Sequence, residues 1–430
     1  MTKLWYCIYN ILLVPVMWIA YRLAYPFNSK VRSGLKERKL IPKILDKAGY
    51  LRNKKGSKKN VIIHSSSLGE FQQAIPLIEQ LRKRNFNIIC TFFSPSGYNH
   101  AKIPYDDILK IYLPFDSPRK VKNFLDLTKP DLIILMRYDL WFNFLYEAKK
   151  RKITITVANA RFDEKDKIWS LLIAGSFKKT MYRMIDKLFV IDKDDEINYK
   201  NKLRGYKGEI VMVGDSKYER VYHSVKDMKK DNVIPENIYR DKKVFVIGSS
   251  WKDDEDVILP VLDRIEGKEN KTLTILVPHE PKETKISAIE KTIYERYNNL
   301  KTIRYTAIDK YKDENLIIVN VVGKLAQLYS IAYLSYVGGG FRTGLHNILE
   351  PVVFNVPVFF ANEFKNSDED ELLLKSGCGF VITGKKNFYR QIYPLLKSIE
   401  YRNEVAGNCS KVFENTLGTA EKIVNNLCLN

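Results

Sequence analysis

Two doubly wound α/β domains behind an apolar N-terminal helix are what this sequence predicts. Three observations carry that reading. Short apolar runs alternate with longer amphipathic ones; the alternation restarts after a polar break near the middle; and small-residue turns close several of the apolar runs. With 430 residues, and roughly 150 per domain, two to three domains are expected. An apolar share of 45%, with 26 Tyr and 21 Phe, supplies substantial cores and excludes disorder as a description of the whole chain. Five scattered cysteines without a CxxC pair (Cys7, Cys90, Cys378, Cys409, Cys428) fit a reducing compartment and exclude a disulfide framework or a Cys-type zinc site.

The formal charge of +21 is unevenly placed, because the first 60 residues hold fourteen basic side chains against two acidic ones. Ahead of most of them, LWYCIYNILLVPVMWIA (4–20) has Asn10 as its one polar side chain. That length is marginal for a span, and Pro15 should kink it. The basic run behind it includes Lys30, Arg32, Lys36, Arg38, Lys39, Lys43, Lys47, Arg52, Lys54, Lys55, Lys58 and Lys59. Cations following an apolar anchor favour the cytoplasmic side and attract anionic headgroups. The alternative is a buried N-terminal helix with a solvated linker behind it.

Strands are expected at VIIH (61–64), NIICTFF (87–93), LKIYL (109–113), DLIILM (131–136), ITITVA (153–158), KLFVI (187–191) and EIVMV (209–213), with helices near 69–84, 116–126, 140–150 and 168–184 between them. Continuous apolar strands alternating with helices indicate parallel sheets covered on both faces. A polar stretch from Lys217 to Lys243 reads as a linker, after which VFVIGS (244–249), LTILVP, LIIVN (316–320), YLSYVGG (333–339) and VPVFF (356–360) restart the pattern. The division expected is an anchor over 1–25, a first domain over 26–220, a linker over 221–242 and a second domain over 243–430. Ligands are expected in the cleft between the two, at the carboxyl ends of strands.

The turns at those ends carry the chemistry. In HSSSLGE (His64–Glu70), Gly69 permits a tight strand-to-helix turn, and Ser65 to Ser67 offer donors at a helix N-terminus that favour an anion or a sugar oxygen. Glu70 in that first turn could equally just complement the helix dipole. SPSG (Ser94–Gly97) is a similar turn, and MRYDLWFN (Met136–Asn143) places Arg137 and Asp139 after a buried strand. Gly248, Ser249 and Ser250 precede a helix starting near Asp253, a plausible phosphate seat, and His279 closes another strand. In VGGGFRTGLHNILEP (Val337–Pro351) glycines would let a ligand approach backbone amides, and His346 and Glu350 should share a helical face, with the carboxylate able to accept a ribose diol. A structural turn followed by a solvated helix is the other reading of that segment.

HSSSLGE, SPSG, YLPFD…KPDLIILMRYDLW, NAR (Asn159–Arg161), VGDSKY (Val213–Tyr218) and VGGGFRTGLHNILEP together resemble, in order, the 3-deoxy-D-manno-octulosonic acid (Kdo) transferases of lipopolysaccharide synthesis. The resemblance runs from the N-terminus to about residue 385. It implies a GT-B fold, two Rossmann-like domains facing a cleft, and an inverting, metal-free transfer of Kdo from CMP-Kdo to a lipid A precursor at the cytoplasmic face of the inner membrane. No cofactor and no nucleic acid are implied. Glu70 matches the family's general base. Pro278 and His279, then Val322, Gly323 and Lys324, then Asn347, Ile348, Leu349 and Glu350 match the CMP-binding segments, to which Ser249 and Ser250 are added as phosphate contacts. Contacts to acceptor or Kdo are expected from Ser67, Gly69, Ser94, Asp139, Arg161, Gly339, Gly340 and His346. Arg137 and Asp139 stand where the family has two glutamates, Pro278 where an arginine precedes the histidine, and Lys324 where glutamate is common. Two competing readings are a GT-B enzyme or related epimerase using a UDP-sugar, and a non-enzymatic basic protein that binds membrane or nucleic acid with steep salt dependence.

Overall fold

The computed structural model describes the chain except residues 50–57, 104, 227, 229–232, 270–271, 342–343, 362, 364–368, 415 and 428–430. Arg52, Lys54 and Lys55 of the basic run, Arg342 and Thr343 of the glycine-rich motif, and Cys428 therefore lie outside the described residues. The chain divides into two compact units, Met1–Arg220 with Gly418–Asn430, and Val221–Leu417.

The first unit is built on seven parallel strands: β1 (Asn60–Ser65), β2 (Asn87–Phe92), β3 (Leu109–Tyr112), β4 (Leu132–Met136), β5 (Thr154–Ala160), β6 (Lys187–Val190) and β7 (Glu209–Met212). Their order is β3-β2-β1-β4-β5-β6-β7, so the direction of winding reverses between β1 and β4. Residues of one strand alternate between two cores. Ile62, Ile133 and Ile155 join one face, and Val61, Ile63, Leu132 and Ile134 the other. That is why β1 and β4 read as unbroken apolar runs.

The second unit repeats the plan with β8 (Lys243–Ser250), β9 (Thr272–Pro278), β10 (Thr302–Arg304), β11 (Leu316–Ile318), β12 (Leu334–Val337), β13 (Val358–Phe360) and β14 (Gly379–Val381). Its order is β10-β11-β9-β8-β12-β13-β14, again all parallel, with the reversal between β8 and β12. The edge strands β10 and β14 were not expected from the sequence; three residues each leave no periodicity to read.

The N-terminal helix runs Thr2–Ala24 without a break through Pro15, with a wider π-helical turn over Tyr9–Leu13 just ahead of the proline. Its inner stripe is docked on the first unit. The Tyr9 hydroxyl donates to Asp116 (2.8 Å), and Asn10 and Asn143 exchange side-chain amide bonds (2.9 and 2.8 Å). Trp5 packs on Phe177 and Tyr21 on Phe115. Leu4, Ile11, Leu12, Val16, Ile19 and Leu23 are exposed on the rest of the helix. The basic segment behind it is a helix, Ser29–Lys47, capped by Asn28 and seated through Ile41 and Leu45.

Two expected boundaries are corrected. The 221–242 segment is not a free linker. The helix Ser216–Lys226 covers its start, and Val221, Val225, Val233, Ile234 and Ile238 are buried. The last stretch belongs with the first unit, because Ala420, Ile423, Val424 and Leu427 pack into the core beside the helix Leu68–Lys83. The Thr419 hydroxyl donates to the Val213 carbonyl (3.2 Å) and the Ala420 amide to Glu219 (2.9 Å). Ile423→Ala should therefore destabilise the first unit by about 2–5 kcal/mol, although it lies two hundred residues beyond that unit's last strand, seen as a lowered calorimetric transition.

Candidate active site

In the first unit the turn after β1 points from the reversal of winding, where open α/β sheets bind ligands. Ser67 caps the helix Leu68–Lys83, its hydroxyl accepting the Glu70 amide hydrogen (3.4 Å). Glu70 reaches back: its Oε2 accepts the amides of Ser66 (2.5 Å) and Ser67 (3.3 Å), completing a reciprocal cap. The amides that the sequence reading offered to a bound anion are thus spent on this carboxylate. Oε1 has no hydrogen bond among the described residues. Burial raises the Glu70 pKa, the Ser66 amide opposes that rise, and the negative charge of Asp139 adds to it.

Asp139 follows β4 and accepts from, or pairs with, His64 Nε2 at 2.8 Å, while His64 Nδ1 meets Thr91 Oγ1 at 2.9 Å. Thr91 is the cross-strand partner of His64, so β1, β2 and the β4 turn hold one buried relay. Burial alone would raise the Asp139 pKa; the hydrogen bond and charge of His64, with hydrogen bonds from Trp141 and Ser66, together outweigh this and hold it low. The Ser94 amide donates to the Ser66 carbonyl (3.1 Å), and its hydroxyl accepts the Gly97 amide, so Ser94 braces the turn. Gly69 corrects an expectation: it is an exposed helical residue with no left-handed φ, and nothing crowds the place of a Cβ. Arg161 stands elsewhere, after β5, where its carbonyl accepts the Tyr199 hydroxyl (2.9 Å).

Arg137 has a left-handed backbone (φ 61°); its Nε donates to Gln73 (3.1 Å) and its guanidinium lies 3.9 Å from Asp215. Asn159, also left-handed, donates to Gln73, Asp215 and Ser216. The charge reversal at Arg137 is therefore answered locally by Asp215.

In the second unit, β8 ends on Ser250 after a left-handed Ser249 (φ 52°), and the helix Lys252–Glu269 follows. The Ser250 hydroxyl donates to Glu255 (2.9 Å), and the amides of Trp251 (2.9 Å) and Gly339 (3.0 Å) both donate to Asp254. Protein carboxylates fill the expected phosphate seat. The glycine motif is also corrected: a Cβ on Gly338 would meet the Ser249 carbonyl at 2.3 Å, and one on Gly340 the Ala361 carbonyl at 1.7 Å. Those glycines admit neighbouring backbone rather than a ligand.

What remains open is an aromatic stack. Trp251, His279 and His346 lie face to face with centroids 4.5 and 4.6 Å apart, and Trp251 Nε1 donates to His346 Nε2 (3.3 Å). Burial, then the neighbouring His279, lowers the His346 pKa. Beside the stack a cavity of about 360 Å³ is lined by Pro278, Ser250, Trp251, Glu255 and Lys285. The helix begins only at Leu349, so His346 and Asn347 precede it and share no helical face with Glu350. Instead Asn347 Nδ2 donates to Glu350 Oε1 (3.1 Å), and burial raises the Glu350 pKa. Ile348 and Leu349 are core residues, leaving only their backbone for a ligand. Val322 and Gly323 (φ 81°) form an open turn before Lys324, with nothing near Gly323. The sequence reading missed Trp251, Lys285 and the His64–Thr91 contact; an aromatic directly after a strand-end GSS was the one visible signal.

Two Rossmann-like units, each with its carboxylates and small-residue turns at the strand ends flanking the reversal, make up a fold of the GT-B type. A family model described as 3-Deoxy-D-manno-octulosonic-acid transferase (kdotransferase) matches residues 35–220. Over that stretch the chain is similar to this Kdo transferase family. It is 26% identical over 372 residues to a 3-deoxy-D-manno-octulosonic acid transferase of Haemophilus influenzae, covering 85% of each chain. It is 29% identical over 345 residues to a bifunctional glycosyltransferase/methyltransferase of Fusobacterium nucleatum, covering 77% of this chain and about half (51%) of that relative's length. In fold alone it is similar to a UDP-GlcNAc 2-epimerase from Neisseria meningitidis, with TM-score 0.57 and 15% identity over 86% of this chain and all (100%) of the other.

The second unit carries a pH signature. Burial, partly offset by the Ser250 hydroxyl, pushes the Glu255 carboxyl up to about 7. Burial favours the neutral form, so this contribution to stability is complete below the unfolded value of about 4.3 and is lost as pH rises through about 7. Glu255→Gln should flatten the fall in melting temperature between about pH 5 and 8, a gain on the order of 3 kcal/mol at the upper end, checked by thermal melts across that range.

Proposed function

We propose that the chain moves Kdo from CMP-Kdo to a primary hydroxyl of a lipid A precursor, with Glu70 as general base. The observation that carries this reading is the state of that carboxylate. One oxygen is fixed by two amides, the other is unbonded among the described residues, and the pKa is raised. A base so held accepts the acceptor's proton as its oxygen attacks the anomeric carbon of Kdo, and the bond to the CMP phosphate breaks with inversion. The phosphate leaves as an anion, so neighbouring amides and cations suffice and no metal is required in this reading. Glu350, steadied by Asn347, would accept the ribose hydroxyls, with the Trp251–His279–His346 stack beside it. Kdo transfer by purified Glu70→Gln in detergent should fall by on the order of 10²–10⁴ with CMP-Kdo affinity and melting temperature little changed, since the amide still accepts hydrogen bonds but not a proton. Near-normal turnover, or equal turnover with UDP-sugars, would remove the reading.

The same proposal sets the protein on the cytoplasmic face of the inner membrane. A helix docked by Trp5, Tyr9, Asn10 and Tyr21 along its length presents its remaining face, Ile11, Val16, Ile19 and Leu23, to the bilayer in the plane of the interface. The triple change Ile11→Ser, Val16→Ser, Ile19→Ser should move much of the protein from washed membranes to the supernatant without lowering its melting temperature, as measured by sedimentation at high salt.

A further inference from the structure

Between the N-terminal helix, the helix Ser29–Lys47 and the helix Pro118–Thr128 lies a cavity of about 520 Å³ that holds none of the residues given a part in the transfer reaction. Its walls are apolar and aromatic, with Tyr21, Tyr25, Ile41, Phe124 and Leu127 among them. Among the described residues four cations share the lining, Arg22, Arg38, Lys39 and Lys120, and no acidic side chain does. Arg38 is already committed, donating to the carbonyls of Leu113 (2.9 Å) and Phe93 (2.7 Å). The other three make no ion pair among the described residues; Arg22 lies over Trp18 and Lys120 over Phe115. Burial, then the charges of Arg38 and Lys39, lower the Lys120 pKa, the mark of a cation group without its counter-anion.

The two halves of this lining specify one ligand. An inorganic anion would leave the aromatic wall empty, and a neutral hydrocarbon would leave the cations unanswered. The rim is continuous with the exposed apolar face of the N-terminal helix, so what reaches it is what surrounds that face. The geometry points to an anionic glycerophospholipid of the surrounding leaflet, with one acyl chain in the cavity and its phosphate among Arg22, Lys39 and Lys120. The bound lipid seats the helix edge-on in the interface. Arg38 ties the cavity floor to Phe93, the residue before Ser94, whose amide braces the Glu70 turn. This inference stands apart from the identity of the sugar donor or acceptor.

The test is native mass spectrometry of the full-length protein in detergent, offered phosphatidylglycerol and phosphatidylcholine of matched chains. One phosphatidylglycerol should stay bound per chain in preference to phosphatidylcholine. Leu127→Trp, which fills the cavity, should lower retention at least about tenfold, because the acyl chain can no longer bury its methylenes there. Asn123→Trp, on an exposed rim residue, repeats the block should Leu127→Trp misfold. Lys39→Glu with Lys120→Glu should cost roughly fivefold or more per lysine in the preference for phosphatidylglycerol, while phosphatidylcholine uptake persists. Retention unchanged by both tryptophan variants, or no preference between the two lipids, would overturn the assignment. So would one-for-one displacement of phosphatidylglycerol by a tetraacylated lipid A precursor, which would give the cavity to the acceptor.

Discussion

Two amide hydrogens, those of Ser66 and Ser67, hold one oxygen of the Glu70 carboxylate, and the chemistry available to the first unit follows from that grip. A half-buried carboxylate left to itself would turn toward solvent or be neutralised. Here the reciprocal cap fixes its position and keeps it at the mouth of the turn, with burial and Asp139 acting on its proton affinity. The sheet order makes this possible. With β1 between β2 and β4, the turn is braced from one side by Ser94 and approached from the other by Asp139 through His64.

The second unit satisfies its strand ends by the same means. Asp254 gathers the amides of Trp251 and Gly339, and Glu255 takes the Ser250 hydroxyl, so the start of the helix Lys252–Glu269 is occupied by its own carboxylates. The surface left open is then the flat stack of Trp251, His279 and His346 with its adjoining cavity, rather than a bare helix end. Glycine there serves close backbone approach, at Gly338 against Ser249 and at Gly340 against Ala361.

How much of this was legible depended on whether the physics was local. Strands such as β1 and β4 announce themselves because both faces are buried, and Glu70 stood out three residues after a helix cap. Contacts across strands were not legible: His64 meets Thr91 and Asp139 only because β1, β2 and β4 are neighbours. Glycines and hydroxyls were read as ligand-facing when the fold had already engaged them, since composition does not say whether a donor is spent. Pro15 was legible, but not the π-helical turn that precedes it, and Arg137 lost its strangeness beside Asp215. The apolar helix was readable as apolar, but its docking through Asn10 and Asn143 needed the partner 133 residues away.

The return of Gly418–Asn430 to the first unit bears on the order in which the protein matures on the ribosome. Chains emerge from the amino end, and domains ordinarily fold as they appear. Here the first unit lacks Ala420, Ile423, Val424 and Leu427 until the second has been synthesised in full. The nascent first unit waits with an open flank along the helix Leu68–Lys83, while the second has every residue it needs. The stretch from Gly418 onward is thus the one that closes the unit carrying Glu70, and a product truncated before it retains the Glu70 turn on an unfinished core.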